Sequence, residues 1–208
     1  MIQVWPGGTN SKVPSTIRYK EDGTRNWGFE ASTDDPATLQ WFKLLLVDDK
    51  DMAAEIQSCS YIKEAKVALR KAGKEPQDVV RDYLSEVWDY TMKSMHKHLR
   101  TEVIDSLPFR VVVTAPATWS KSGRAYARLE QAAEQAGIRK PRPCGVTDLR
   151  IVSELEAAAF ATMIDAHKDR VLEVYYLSNN IFCAYENAAN ILTRPTTYLW
   201  SVTLVVGL

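Results

Sequence analysis

The side chains best placed to do chemistry lie where a short apolar strand runs into an acidic helix start. Leu149-Arg150-Ile151-Val152 reads as a strand, and Ser153-Glu154-Leu155-Glu156-Ala157-Ala158-Ala159 follows it directly. Ser153 is expected to cap that helix, which sets Glu154 and Glu156 at its positive end. On residue type alone, Glu154 is a helix N-terminal carboxylate. Lys93, His96, Lys97, His98 and Arg100 gather near one helix end. His96 and His98 stand i, i+2 and share no helix face, so a solvated basic terminus is expected there and metal binding is not. Cys59, Cys144 and Cys183 are odd in number and widely spaced, with no metal-ligand pattern or disulfide framework, so a reducing compartment is the simpler reading. Neither G-x-G-x-x-G nor G-x-x-x-x-G-K-[ST] occurs, which disfavours a dehydrogenase and a P-loop NTPase.

The elements that must position these residues lie mainly between Phe109 and Met163. Arg110-Val111-Val112-Val113-Thr114 is β-branched and almost continuously apolar, as in a strand buried on both faces. Ala115-Pro116-Ala117 stops it, because proline has no N–H for a ladder. Ser120 is the expected N-cap of a helix carrying Ala125, Tyr126, Leu129, Ala132, Ala133 and Ala136 at helical spacing, with Gly137 as its C′ residue. The order strand, helix, strand, helix is an α/β signature.

Upstream, Gln77 to Arg100 is the clearest helix, with Pro76 at its first position and a stripe from Val79 to Leu99. Residues 1–31 are expected to form a β-meander of Ile2–Trp5, Val13–Tyr19 and Trp27–Ala31, turning at Pro6-Gly7-Gly8 and Glu21-Asp22-Gly23 and packing Trp5 and Trp27 into a core. Thr38 to Val47 is a short helix or turn docking onto the core, and Asp48-Asp49-Lys50-Asp51 a solvated loop. Between Met52 and Leu69, Ile56, Ile62, Ala65 and Leu69 can share a helical face. Arg139 to Gly145 is basic, proline-rich and expected to be an exposed connection.

The chain has 208 residues, enough for one substantial core or two small lobes. Its six tryptophans and apolar fraction of 46% argue for a folded protein. Lys plus Arg equals Asp plus Glu at 26 each, which removes any electrostatic case for nucleic acid or an acidic membrane surface. No run is long and apolar enough for a membrane helix, and the N-terminus does not read as a signal peptide, so a cytoplasmic location is the expectation.

The order of several motifs resembles a known family. "KVPSTIRY…WGFEA", the strand leading to Thr-Ala-Pro-Ala-Thr-Trp-Ser, the helix ending Ala-Glu-Gln-Ala-Gly-Ile, and Ile-Val-Ser-Glu-Leu-Glu-Ala-Ala-Ala look like the nucleotide-binding domain of the 70-kilodalton heat-shock chaperones. They are most similar to the divergent, fungal-type branch of the actin-like ATPase superfamily. The resemblance spans residues 1–170. It implies a partial actin-like (ribonuclease H-like) lobe, a mixed sheet flanked by helices. Intact relatives bind ATP and Mg²⁺ between two lobes.

Residue by residue, the resemblance implies that Glu154 is the acidic residue that helps place Mg²⁺ and the attacking water, although Leu155 replaces the expected proline. A carboxylate can hold a hydrated Mg²⁺ and orient a nucleophile beside a phosphate. Pro116 and Arg124 fall where the family relays nucleotide state to a substrate domain; strand end and surface charge are the simpler roles. Ser32 falls where the family carries a lysine that assists hydrolysis.

The family's first phosphate loop is expected upstream of this chain, and the second, Asp-Xaa-Gly-Gly-Gly-Thr, does not occur. Residues 171–208 read as a divergent tail. Val202–Val206 is the strand that would precede the missing loop, and 175–200 an insertion arising from an altered gene model or retained intervening sequence. The expectation is a truncated, inactive family member that binds no cofactor. The alternative is a nucleotide-independent module with a protein partner, or one that self-associates through an unpaired sheet edge.

Overall fold

The computed structural model describes residues 2, 4–10, 12–159, 162 and 202–206. The chain is mixed α/β. Its centre is the apolar strand Phe109–Ala115 (β5 in chain order), buried along nearly its whole length. The sheet around it has three strands in the order β6-β5-β7, where β6 is Asp148–Ser153 and β7 is Val202–Val206. Both neighbours run parallel to β5, with Ala115 opposite Ser153 on one side and Val113 opposite Val206 on the other. The expected strand at 202–206 therefore forms. The segment 171–200 lies outside the described residues.

Helix α5 (Arg124–Ala133) connects β5 to β6 and buries Leu129, Ala132 and Ala133. It continues through a wide turn, Glu134–Ile138, and ends where Gly137 takes φ 88°, a left-handed conformation that glycine adopts freely. Its start differs from expectation. Gly123 is the N-cap, and Ser120 sits in the preceding turn, its carbonyl accepting the Gly123 N–H at 2.9 Å. The Ser120 hydroxyl serves that turn, accepting the Ser122 N–H at 3.3 Å and meeting the Ser122 hydroxyl at 2.9 Å.

Helix α3 (Pro76–His98) packs across α5. It begins at Pro76 as the sequence indicates, and it buries Val79, Val80, Tyr83, Leu84, Val87, Trp88 and Thr91. Its basic C-terminal residues, from Lys93 to Arg100, are solvated except for partly buried Ser94 and Met95. The region 52–72 splits into α1 (Ala54–Ser58) and α2 (Ser60–Ala72) at Cys59, which has extended backbone. Ile62, Ala65 and Leu69 are buried on one face, whereas Ile56 lies on the other side of the break and is exposed. A short helix, α4 (Thr101–Ser106), precedes β5.

The N-terminal region corrects the meander. It is two separate hairpins: β1 (Val4–Trp5) with β2 (Gly8–Thr9), and β3 (Ile17–Tyr19) with β4 (Arg25–Trp27). The last strand ends at Trp27 instead of starting there, because Gly28 turns to φ 58° and Gly28–Glu30 closes a 3₁₀ turn. The backbone N–H and carbonyl of Gly28 are both held by Thr16. The core reading for the tryptophans holds: Trp5, Trp27, Tyr83 and Tyr90 form one aromatic cluster with ring centroids 5.6–6.3 Å apart.

The basic loop is not merely exposed. Arg142 lies 3.6 Å over the Phe109 ring and donates to the carbonyls of Leu107 and Ile104 at the end of α4, where the Ile104 carbonyl also accepts the Leu107 N–H at 3.2 Å. Among the described residues no helix is long and apolar enough to cross a membrane.

Candidate functional site

The carboxyl ends of β5 and β6 stand level in the register, so Pro116 and Glu154 follow the paired residues Ala115 and Ser153 at one edge of the sheet. In parallel α/β sheets this edge is where ligands bind. Pro116 is half-buried, and its carbonyl accepts the Trp119 N–H at 3.0 Å, which turns the chain away from the sheet. Residues 154–159 are helical, and Ser153 caps them as expected. Its hydroxyl accepts the Glu156 N–H at 3.0 Å, while Glu156 reaches back to the Ser153 N–H at 2.9 Å. This reciprocal capping box explains Glu156 structurally. Burial pushes the Glu156 carboxyl up, but the Ser153 N–H and the nearby Lys121 charge outweigh burial and hold it below the usual carboxylate range.

Glu154 is not used in the cap. Its Oε1 lies 2.5 Å from the Lys43 ammonium, with the Lys43 side chain 8% exposed and that of Glu154 48% exposed. Sequence reading missed Lys43. A local signal was present: it is the lone charged residue in the apolar run Thr38–Val47. The run folds as expected, docking on the core. Leu39 exchanges backbone hydrogen bonds with Ile17 at 2.8 and 3.1 Å. Phe42 packs 5.6 Å from Tyr83, and Leu45 and Leu46 are buried around the 3₁₀ turn Leu44–Leu46. With its neighbours anchored, Lys43 is carried under the sheet edge. Ser32, aligned to the lysine position, instead lies in a turn of its own, where its carbonyl accepts the Asp35 N–H at 3.3 Å.

The loop after Lys43 is clamped onto α5. Arg128 donates to the Leu46 carbonyl at 2.7 Å and to Asp48 at 2.8 Å, and Arg124 reaches Asp48 at 3.1 Å. The Arg128 hydrogen bond holds the Asp48 carboxyl below its ordinary value, with burial opposing. Asp48 is thus no solvated loop residue, and Arg124, although 69% exposed, is an anchor for the Lys43 loop. The sequence hides this because the partners stand 76 and 80 residues away.

The arrangement offers a buried cation and a half-exposed carboxylate whose second oxygen carries no hydrogen bond among the described residues. Chemically, such a pair can hold or orient a polar group at the sheet edge. Among the described residues no cluster of three or more His, Cys, Asp or Glu is placed to hold a metal ion. The chain matches no protein-family model, no curated protein and no solved structure.

Proposed function

We propose that this chain is an incomplete first lobe of a heat-shock-type, actin-like nucleotide-binding domain, with no ATP turnover of its own. One observation carries the reading: buried Lys43 meets Glu154 at the carboxyl edge of a parallel β-α-β unit. The resemblance asks for a carboxylate and a lysine that act together on a phosphate and its attacking water. Glu154 answers to the first by motif. Lys43 answers to the second by position, in place of Ser32.

The residues present fit only this half of a nucleotide site. Phosphate cradles need glycines whose backbone N–H groups approach the oxygens closely. No glycine-rich run follows β5 or β6, and Asp-Xaa-Gly-Gly-Gly-Thr is absent from the 208 residues. Phosphoryl transfer depends almost wholly on positioning and charge stabilisation, so no step through ATP or Mg²⁺ is assigned to this chain. Pro116 and Arg124 take structural roles in this reading, as strand end and loop clamp. The spare thiols suit a reducing, cytoplasmic setting.

Calorimetric titration of the chain with ATP and Mg²⁺, repeated with Glu154→Ala, tests the proposal. No saturable heat up to millimolar nucleotide is expected. Saturable binding weakened by Glu154→Ala would overturn the silent state. Binding indifferent to that substitution would sink the assignment of this edge.

A further inference from the structure

A second surface, whose lining includes neither Lys43 nor Glu154, gathers several anomalies. A cavity of about 540 Å³ runs between the loop 33–41 and helix α2, a volume typical of ligand sites. At its end the Trp41 and Tyr61 rings lie 5.0 Å apart, tilted by 40°. Trp41 is 52% exposed. It is also the one non-glycine residue with positive φ among those described, at 59°. A bulky side chain in that region is strained, and such strain persists only where the surroundings enforce it. Here they do: Leu39 is tied to Ile17 and Phe42 is sunk in the core, so the chain must turn at Trp41 and aim its indole outward. Thr38, in the same lining, is nearly buried and its hydroxyl has no hydrogen-bond partner among the described residues.

The walls are preorganised. Arg18 pairs with Asp35 at 3.1 Å, and Gln40 donates to the Thr33 carbonyl at 3.0 Å. The floor is small and apolar, at Ala65 and Ala68. On the rim, Asp34 and Glu64 balance Lys63 and Lys71, and none of the four forms an ion pair with a described residue, so the groove favours an uncharged ligand. Donor-bearing side chains in its lining include exposed Trp41 and Tyr61 and the two lysines.

We propose that this groove binds an uncharged, proline-rich segment of another protein in polyproline II conformation. Proline offers a flat-sided apolar ring and a carbonyl but no N–H. It therefore suits aromatic faces flanked by donors. The polyproline II helix is extended and already ordered, so docking it costs little conformational entropy. The inference does not rest on the nucleotide-lobe reading, since the groove lining includes neither Lys43 nor Glu154.

The test is titration of the full chain with acetyl-Ala-Pro-Pro-Leu-Pro-Pro-Ala-amide, beside the same peptide with every proline replaced by alanine. Saturable binding of the first is expected, weakened at least about tenfold in the alanine peptide and in Tyr61→Ala and Trp41→Gly. Trp41→Gly should melt no lower than the native chain, because glycine adopts this φ without strain. That separates lost binding from lost folding. No saturable binding by the native chain would overturn the proposal. So would equal affinity for the two peptides or for Trp41→Gly. Binding of cellotetraose in place of the peptide would reassign the groove to a saccharide.

Discussion

On helix α3, Asp82 is almost fully buried, and its carboxylate is shared among Tyr19 at 2.9 Å, Arg81 at 2.9 Å, Arg25 at 3.2 Å and Lys74 at 3.5 Å. At the sheet edge the polarity of burial is reversed: Lys43 is enclosed and Glu154 keeps about half its surface. In the first cluster the buried charge is met from several sides by partly exposed cations. This arrangement fastens the hairpin β3–β4 to α3. In the second, a half-exposed carboxylate retains an oxygen for something else. Both are charged and both join segments remote in sequence, yet only the second is open to a ligand.

The largest effect that would break this contrast is on stability. Asp82→Ala leaves Arg25, Arg81, Lys74 and the Tyr19 hydroxyl without their shared acceptor. It is expected to cost about 1.5–3 kcal/mol in urea unfolding, the range for hydrogen bonds to a charged group, because the cations left behind are partly exposed and Arg25 and Arg81 keep Glu86 and Asp78. A loss below about 1 kcal/mol would mean that Asp82 is not the fastener the geometry describes.

The pH dependence sharpens the same contrast. Burial pushes the Asp82 carboxyl up, but Arg81, Tyr19 and Arg25 outweigh it and hold the folded value below the ordinary 3.8. The unfolded chain therefore binds the proton first as pH falls. The stabilisation is fully present above 3.8 and is lost as pH drops through the folded value. Unfolding midpoints followed from neutral pH to pH 2 should fall steeply in the native chain and more gently in Asp82→Asn.

The smallest effect belongs to the sheet edge. Glu154→Gln is expected to change stability by no more than about 1 kcal/mol, because half the carboxylate already faces water. If Glu154→Gln instead destabilised as much as Asp82→Ala, the pair would be a second fastener and its reading as a site would fail.

Much of the fold was legible. The runs at 110–114 and 149–152, the stripe along 77–99 and the strand at 202–206 became strands and a helix where their periodicity put them. Each is long or β-branched enough for local pattern to win. The N-terminal meander was misjudged because β1 to β4 are two or three residues each, too short for alternation to locate, and because Gly28 ended a strand where a strand start was expected. Ser120 lost its capping role to Gly123 over a difference of three residues, within the range where turn chemistry decides. At the candidate site, Glu154 was legible from its place after a strand, whereas Lys43 was not, since alignment by motif drew attention to Ser32.

From sequence alone come the mixed α/β class, the central buried strand, the Ser153 cap and the absence of glycine-rich phosphate loops, all properties of consecutive residues. Only tertiary structure brings Lys43 under Glu154, Arg124 and Arg128 onto Asp48, and Trp41 out beside Tyr61. Most of those contacts join residues separated by tens of positions. Which of them form depends on how the core packs Leu39, Phe42, Leu46 and Leu129, and volume filling of that kind leaves no periodic trace in a single sequence.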